Sequence, residues 1–171
     1  SVERVYLPKW RSYLNALMAL PSSLPLQVAY YKSQDFSEKL YKLLPDYDLA
    51  VAHLIRTGDY LNGLDIPKVL EMTDAISMNY ERVRAVSKSA GIKNLIYSIE
   101  QSRLKSYEKN TPKEFDLSVL VSQVDKEYLF NESCDIQDKV LVCSNGVSVE
   151  QFPFNYRPDS KTIVFIGNMN S

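Results

Sequence analysis

The chain has 171 residues, 45% of them hydrophobic and 24% charged, which is the composition of a globular protein long enough to bury a sizeable core. A net charge of −1 argues against nucleic acid as a partner. The sequence has no apolar run near 18 residues and no signal peptide, so a cytoplasmic protein is expected, with Cys134 and Cys143 reduced.

Val2–Leu7 is β-rich and reads as a strand that Pro8 ends. Lys9–Leu20 places Trp10, Tyr13, Leu14, Leu17 and Met18 at helical spacing, an amphipathic helix stopped by Pro21. Gln27–Tyr31 is ambiguous. Ser33–Leu44 is a second helix, with Ser33 as N-cap and Phe36, Leu40, Leu43 and Leu44 as its buried face. Asp48–Leu54 lacks polar alternation and reads as a central strand, followed by a short helix around Thr57–Leu61. Lys68–Met72 is a strand and Asp74–Ser89 a helix that Gly91 interrupts. Ile92–Lys109 is the longest helix, with Leu95, Ile96, Ile99, Leu104 and Tyr107 largely on one side. Leu117–Val121 is a strand. Ser122–Phe130 is a helix that Ser122 caps, with Asp125 at the capping-box position. Val140–Cys143 is a strand that breaks at Ser144-Asn145-Gly146, where positive φ comes cheaply. A polar linker precedes a last strand, Thr162–Ile166.

Strands alternating with helices predict an α/β fold, a Rossmann-like parallel sheet with helices on both faces. Five scattered glycines contain no G-x-G-x-x-G, which argues against a Rossmann oxidoreductase or epimerase. One histidine and two cysteines outside any metal-binding spacing make a poor zinc site. A non-catalytic, flavodoxin-like binding or regulatory domain remains an alternative.

Six stretches carry a family resemblance: DYDLAVAHLIR (46–56), IPKVLEMTDAIS (66–77), YSIEQSRLKSYEKNTPKEFD (97–116), LSVLVSQVDKEYLF (117–130), VLVCSNGVSVEQF (140–152) and KTIVFIGNMNS (161–171). In this order and spacing they resemble the N-terminal domain of GT-B glycosyltransferases of the retaining group 1, or family 4, type. The resemblance implies an acceptor-side Rossmann-like domain over residues 1–152, truncated at its start. Residues 153–171 would be a linker and the first strand of a donor-binding domain. The implied activity of the whole protein is transfer of a sugar from a nucleotide-sugar donor to a glycan or lipid-linked acceptor in bacterial polysaccharide synthesis. No metal or cofactor is implied, and this piece alone would be inactive. Ser148 stands where relatives carry Asp.

Against that background, His53, Arg56, Thr73 and Asp74 are the candidates facing the acceptor cleft, because they end two strands of a parallel sheet. For His53 the other reading is a structural histidine; for Asp74 it is a cap on the following helix. Thr73 stands where many relatives carry a sugar-contacting histidine. Asn145, Gly146 and Val147 read as the interdomain hinge. Glu100 and Glu108 form E-x₇-E, read as a solvated, ion-paired helix surface rather than a donor site. Arg82, Arg84, Lys88, Lys93, Arg103, Lys105, Lys109 and Lys113 form a basic stretch, read as a solvated face or a peripheral contact with the inner face of the plasma membrane. The exposed terminal strand offers a route to a homodimer.

Overall fold

Apolar runs set between Pro and Asp punctuation become four parallel strands in the computed structural model, which describes residues 2–86, 92–131, 134–151 and 157–163. The strands are β1 (Ala50–His53), β2 (Lys68–Thr73), β3 (Leu117–Leu120) and β4 (Val140–Val142), and they lie in the order β1-β2-β3-β4. All three pairings are parallel, with Val51 opposite Val69, Val69 opposite Leu117 and Val119 opposite Leu141. The helices among the described residues are α1 (Lys9–Met18), α2 (Leu26–Tyr30), α3 (Gln34–Leu43), α4 (Ile76–Val86), α5 (Ile92–Asn110) and α6 (Gln123–Phe130). The fold is therefore α/β with an all-parallel sheet, of Rossmann-like character.

Side chains alternate across a strand, so the register decides which residues share a face. Ala52, Leu70, Met72, Leu120 and Val140 point to the buried face and pack with Ile55, Leu61, Phe115, Leu129 and Phe130. Phe115, Phe130, Leu70 and Leu120 are almost entirely shielded from water. Each such side chain contributes about 2–3 kcal/mol by burial. The opposite face carries Val51, His53, Glu71, Val119 and Leu141, and Val51, His53 and Leu141 are exposed.

The expectation of helices on both faces is corrected for the described residues, and the strand order supplies the reason. Crossovers between parallel strands are right-handed, so a sheet that always steps in one direction lays every connection on the same side.

Other expectations change for equally local reasons. Residues 2–7 form no strand; Val2 and Tyr6 stand in solvent with no strand beside them. β1 pairs only with β2 and so is an edge of the described sheet, not central. The ambiguous stretch before Lys32 is helix α2. Ser33 does cap α3, accepting from the Phe36 amide at 3.2 Å. The expected buried face of α3 is only half-buried or exposed, and it borders a groove beside β1. Residues 161–163 form no strand, and residues 164–166 lie outside the described part, as do residues 87–91.

Candidate functional site

The hydrogen-bonded ladder runs past the last strand residues and aligns the carboxyl ends. The Leu54 amide donates to the Glu71 carbonyl at 2.7 Å, that of Val121 to Thr73 at 3.0 Å, and that of Cys143 to Leu120 at 2.8 Å. Among the described residues, the two non-glycine residues with positive φ occur on this rim, Leu54 at 69° and Thr73 at 67°. A β-branched residue or leucine avoids that region, and such strain concentrates where a surrounding structure uses it. Both end strands, and those strands are neighbours. Beside Thr73 the pairing with β3 shifts register between Glu71 and Thr73, so the chain bends there as at a bulge.

His53 and Glu71 stand directly opposite each other on β1 and β2, and His53 Nδ1 lies 2.9 Å from Glu71 Oε2. A carboxylate only accepts, so Nδ1 is the donor in this pair, and in the neutral ring Nε2 is then the acceptor. The pair sits on the open face of the sheet, with side chains 65% and 44% exposed. Glu71 escapes the sequence argument. Its signal was the one acid inside KVLEM, a residue that alternation aims away from the core.

Asp74 follows Thr73 on the rim. Its side chain is exposed and makes no hydrogen bond or ion pair among the described residues. Among the described residues the Thr73 hydroxyl is buried without a partner. Arg56 is not part of this group: its guanidinium lies 4.5 Å from the centre of the Tyr31 ring, over the end of α2. The structure thus brings His53, Thr73 and Asp74 to one rim and turns Arg56 towards a small pocket with Val5, Leu7 and Tyr60.

Asp74 does not cap α4. That task falls to two acids from elsewhere. Asp125 accepts from the Ala75 amide at 3.0 Å. Glu108 accepts from the Ile76 amide at 2.7 Å, from the Ser77 amide at 3.2 Å, and from the Ser77 hydroxyl. Burial pushes the Glu108 carboxyl up to about 7, against the pull of the Ser77 and Ile76 bonds. Asp125 is therefore not a capping-box partner within its own helix, although Ser122 does cap α6 through the Val124 amide at 3.1 Å.

The solvated reading of E-x₇-E is corrected too. Eight residues is a little over two turns, so both carboxylates share a face of α5, and that face looks inward. Glu100 accepts from the Leu26 amide at 2.5 Å and so closes the start of α2. Burial raises its pKa, against the Leu26 and Gln27 amides and Arg103. Two consequences follow for chemistry. Neither glutamate is free to bind a sugar, and the α4 amides that could have held a phosphate are already occupied.

Four members of the basic stretch have partners of their own. Arg84 bonds Gln101, Arg103 donates to the Leu20 carbonyl at 2.7 Å, Lys105 lies 3.9 Å over the Tyr128 ring, and Lys113 donates to Asn110 at 2.9 Å. Lys88 lies outside the described residues.

At the expected hinge, residues 143–148 are exposed and irregular, and Gly146 does not take positive φ. The turn comes later, where the Gln151 amide reaches the Ser148 carbonyl at 3.1 Å. Cys143 is free and exposed. Among the described residues no His, Cys, Asp and Glu group could hold a metal, and no helix is long and apolar enough to cross a membrane.

One further feature meets the rim. A groove of about 540 Å³ runs between α3 and β1, walled by Phe36, Leu40, Leu43, Leu49 and Val51, and it reaches His53. Against family models, curated proteins and solved structures, the chain finds no match.

Proposed function

We infer that this chain forms the acceptor-side wall of a retaining glycosyltransferase of the GT-B type, which moves a sugar from a nucleotide-sugar donor to an acceptor hydroxyl. One observation carries the reading. A His–Glu pair and a free aspartate sit at the strained carboxyl rim of a parallel sheet, where a mostly apolar groove opens. Ligands of open parallel sheets bind at that edge. The succession of motifs through Phe152 supports the family assignment from the sequence side.

In this reading Glu71 holds the His53 ring through Nδ1, and Nε2 receives a hydrogen bond from an acceptor hydroxyl. Asp74 takes a second hydroxyl. The apolar part of the acceptor lies along α3. The chain's contribution is orientation, which converts an encounter into a positioned reaction. The donor diphosphate belongs elsewhere, since Glu108 and Asp125 fill the α4 amides. The chain by itself transfers no sugar, and Asn145, Gly146 and Val147 lead towards the donor side.

The test is amide-resolved NMR of the chain titrated with simple mono- and disaccharides, and separately with UDP and GDP. Saccharides should shift the amides of residues 53–57 and 73–74, and Asp74→Ala should weaken those shifts about tenfold. Tight binding of either nucleotide, or saccharide shifts confined to other regions, would overturn the reading.

A further inference from the structure

The groove beside α3 is walled on one side by β1, an edge of the described sheet. Leu49, Ala50, Val51, Ala52 and His53 all line it. Successive side chains point to opposite faces of a sheet, so five in a row line a channel that follows the edge of β1 rather than one face. The ladder fixes which backbone groups lie on that edge. The Ala50 amide donates to the Pro67 carbonyl at 2.9 Å and the Leu54 amide to the Glu71 carbonyl at 2.7 Å. In a parallel pair, alternate residues bond the same neighbour. Residues 50, 52 and 54 therefore face β2, and Val51 and His53 turn their amides and carbonyls to the groove. The His53 carbonyl accepts from the Thr57 hydroxyl at 2.7 Å. The Val51 amide, the Val51 carbonyl and the His53 amide have no partner among the described residues.

Those three groups decide what the groove can hold. The far wall comes from α3, with Phe36, Leu40 and Leu43 at the spacing of one helical face. A hydrocarbon chain would suit that wall but would strip water from the Val51 and His53 backbone groups, at the full cost of unpaired buried polar groups. A small polar ligand would pair with the edge and leave the apolar wall uncovered. An extended polypeptide answers both. Its backbone continues the sheet, and every second side chain turns to one side. An edge with unpaired amides and carbonyls is a template for such a strand.

Charge narrows the occupant further. Asp46 and Asp48 flank Tyr47, which lines the groove where β1 begins. Both are exposed, and neither forms an ion pair among the described residues. Glu3, also on the groove wall, is already paired with Lys39 at 2.5 Å. The Tyr47 end therefore favours a basic residue. At the other end stands His53. A residue directly opposite His53 in an added strand points to the same face as His53. Its two neighbours point to the other face, the side on which Leu40 packs against the core. The favoured segment carries Ser or Thr between two apolar residues, with Lys or Arg about five residues away.

We propose that the acceptor hydroxyl is carried by an extended polypeptide, which adds as a further strand to the edge of β1 and lays its apolar side chains against α3. The hydroxyl belongs to the residue opposite His53. Its oxygen forms the new bond to the anomeric carbon of the sugar, the bond from that carbon to the diphosphate breaks, and the hydroxyl proton ends on the departing diphosphate. The role in transfer rests on the acceptor-wall reading, whereas the strand pairing is measured by itself.

The probes are a blocked peptide of Lys followed by alternating Val and Thr, and octyl glucoside as a sugar on a hydrocarbon chain. Amide hydrogen exchange is read by NMR. Saturating peptide should slow exchange at Val51 and His53 by at least about tenfold, and octyl glucoside should leave it unchanged. N-Methylation of one alternating set of peptide residues should weaken binding at least about tenfold, and of the other set less than about twofold, because only one set faces β1. Val51→Pro removes the amide on the sheet edge, where proline is tolerated. It should keep the circular dichroism of the chain and weaken the peptide at least about tenfold. Asp48→Asn should weaken this peptide about threefold, but not one with Gln for Lys. Slow exchange at Val51 and His53 in the chain alone, equal protection by octyl glucoside, or equal loss from both N-methylated sets would overturn the proposal. Peptide protection without saccharide shifts at residues 73–74 would overturn the acceptor role and leave a peptide-binding edge. Saccharide shifts without peptide protection would keep the acceptor wall and remove the polypeptide.

Discussion

Glu108 and Ser77 are joined twice, by the Ser77 amide at 3.2 Å and by its hydroxyl, and this pair fastens the start of α4 to the middle of the molecule. Glu108 is fully shielded from water. Its pKa, normally near 4.5, is raised by burial to about 7, so the folded chain holds the proton more tightly than the unfolded chain. The stability due to that proton is fully present below about 4.5 and is lost as pH rises through about 7. The loss is on the order of 3 kcal/mol. Gln keeps an oxygen for the Ile76 and Ser77 amides and turns a donor to the Ser77 hydroxyl, which rotates to accept it. Glu108→Gln should therefore flatten this part of the pH profile in urea denaturation, with little change near pH 5. Glu108→Ala should destabilise by about 2–4 kcal/mol, because the α4 amides lose their partner in a buried place.

Asp125 offers a second, independent check of how α4 is held. It bonds the Ala75 amide across a sequence separation of 50 residues and is 5% exposed. If it served only its own helix, Asp125→Ala would cost about 0.5–1 kcal/mol. With a buried amide left unpaired, the loss should be about 1–3 kcal/mol, and hydrogen exchange at Ala75 should accelerate.

Gly58 tests the packing beneath the 3-10 turn Ile55–Leu61. A Cβ there would meet Thr111 Cγ2 at 3.1 Å and Leu70 Cδ1 at 3.4 Å, with Phe115 just beyond. The nearest neighbour is a methyl on a β-branched, hydrogen-bonded side chain, since the Thr111 hydroxyl donates to the Tyr107 carbonyl at 2.8 Å. It cannot swing away freely. Gly58→Ala should destabilise by about 1 kcal/mol, and Gly58→Val by about 2–3 kcal/mol, in denaturant titration.

What was legible in the sequence, and what was not, separates along range. Most local signals held: apolar runs became β1 to β4, and Ser33 and Ser122 cap the helices they precede, although the β-rich residues 2–7 form no strand. Long-range choices did not. Asp125 had a plausible local job and took a distant one. Glu100 and Glu108 look solvent-facing beside Arg103 and Lys105, yet their own spacing puts them on a face that meets two other helices. The periodicity of Trp10, Tyr13, Leu17 and Met18 located a helix and said nothing of which way it faces. The candidate rim was half readable. His53 and Asp74 followed from strand ends in a parallel sheet, whereas Glu71 needed the register and Arg56 needed the position of Tyr31.

Thr73 measures the strain at the rim. It is β-branched at φ 67°, and its hydroxyl has no partner among the described residues. Glycine accepts that φ at no steric cost but loses more entropy on folding. Strain of this kind amounts to about 1–3 kcal/mol, so Thr73→Gly should raise stability by up to about 1 kcal/mol in urea denaturation. A loss of stability would mean that the Thr73 methyl, not the backbone geometry, governs the site.

Asp74 and Glu71 separate a binding role from a structural one. A helix cap replaced by Ala costs about 1 kcal/mol, but Asp74 caps nothing among the described residues. The His53–Glu71 pair is exposed on both sides, and such pairs contribute about 0.2–1 kcal/mol. Asp74→Ala and Glu71→Gln should therefore each change the unfolding free energy by less than about 1 kcal/mol. Both should nevertheless weaken saccharide-induced shifts at the rim by about tenfold, Asp74→Ala by removing an acceptor and Glu71→Gln by freeing the His53 ring to turn. His53→Gln, which keeps an acceptor but no fixed ring, should resemble Glu71→Gln. Variants that lose stability and binding together would make these residues part of the scaffold. Variants that keep both would remove the rim as the place where the acceptor binds.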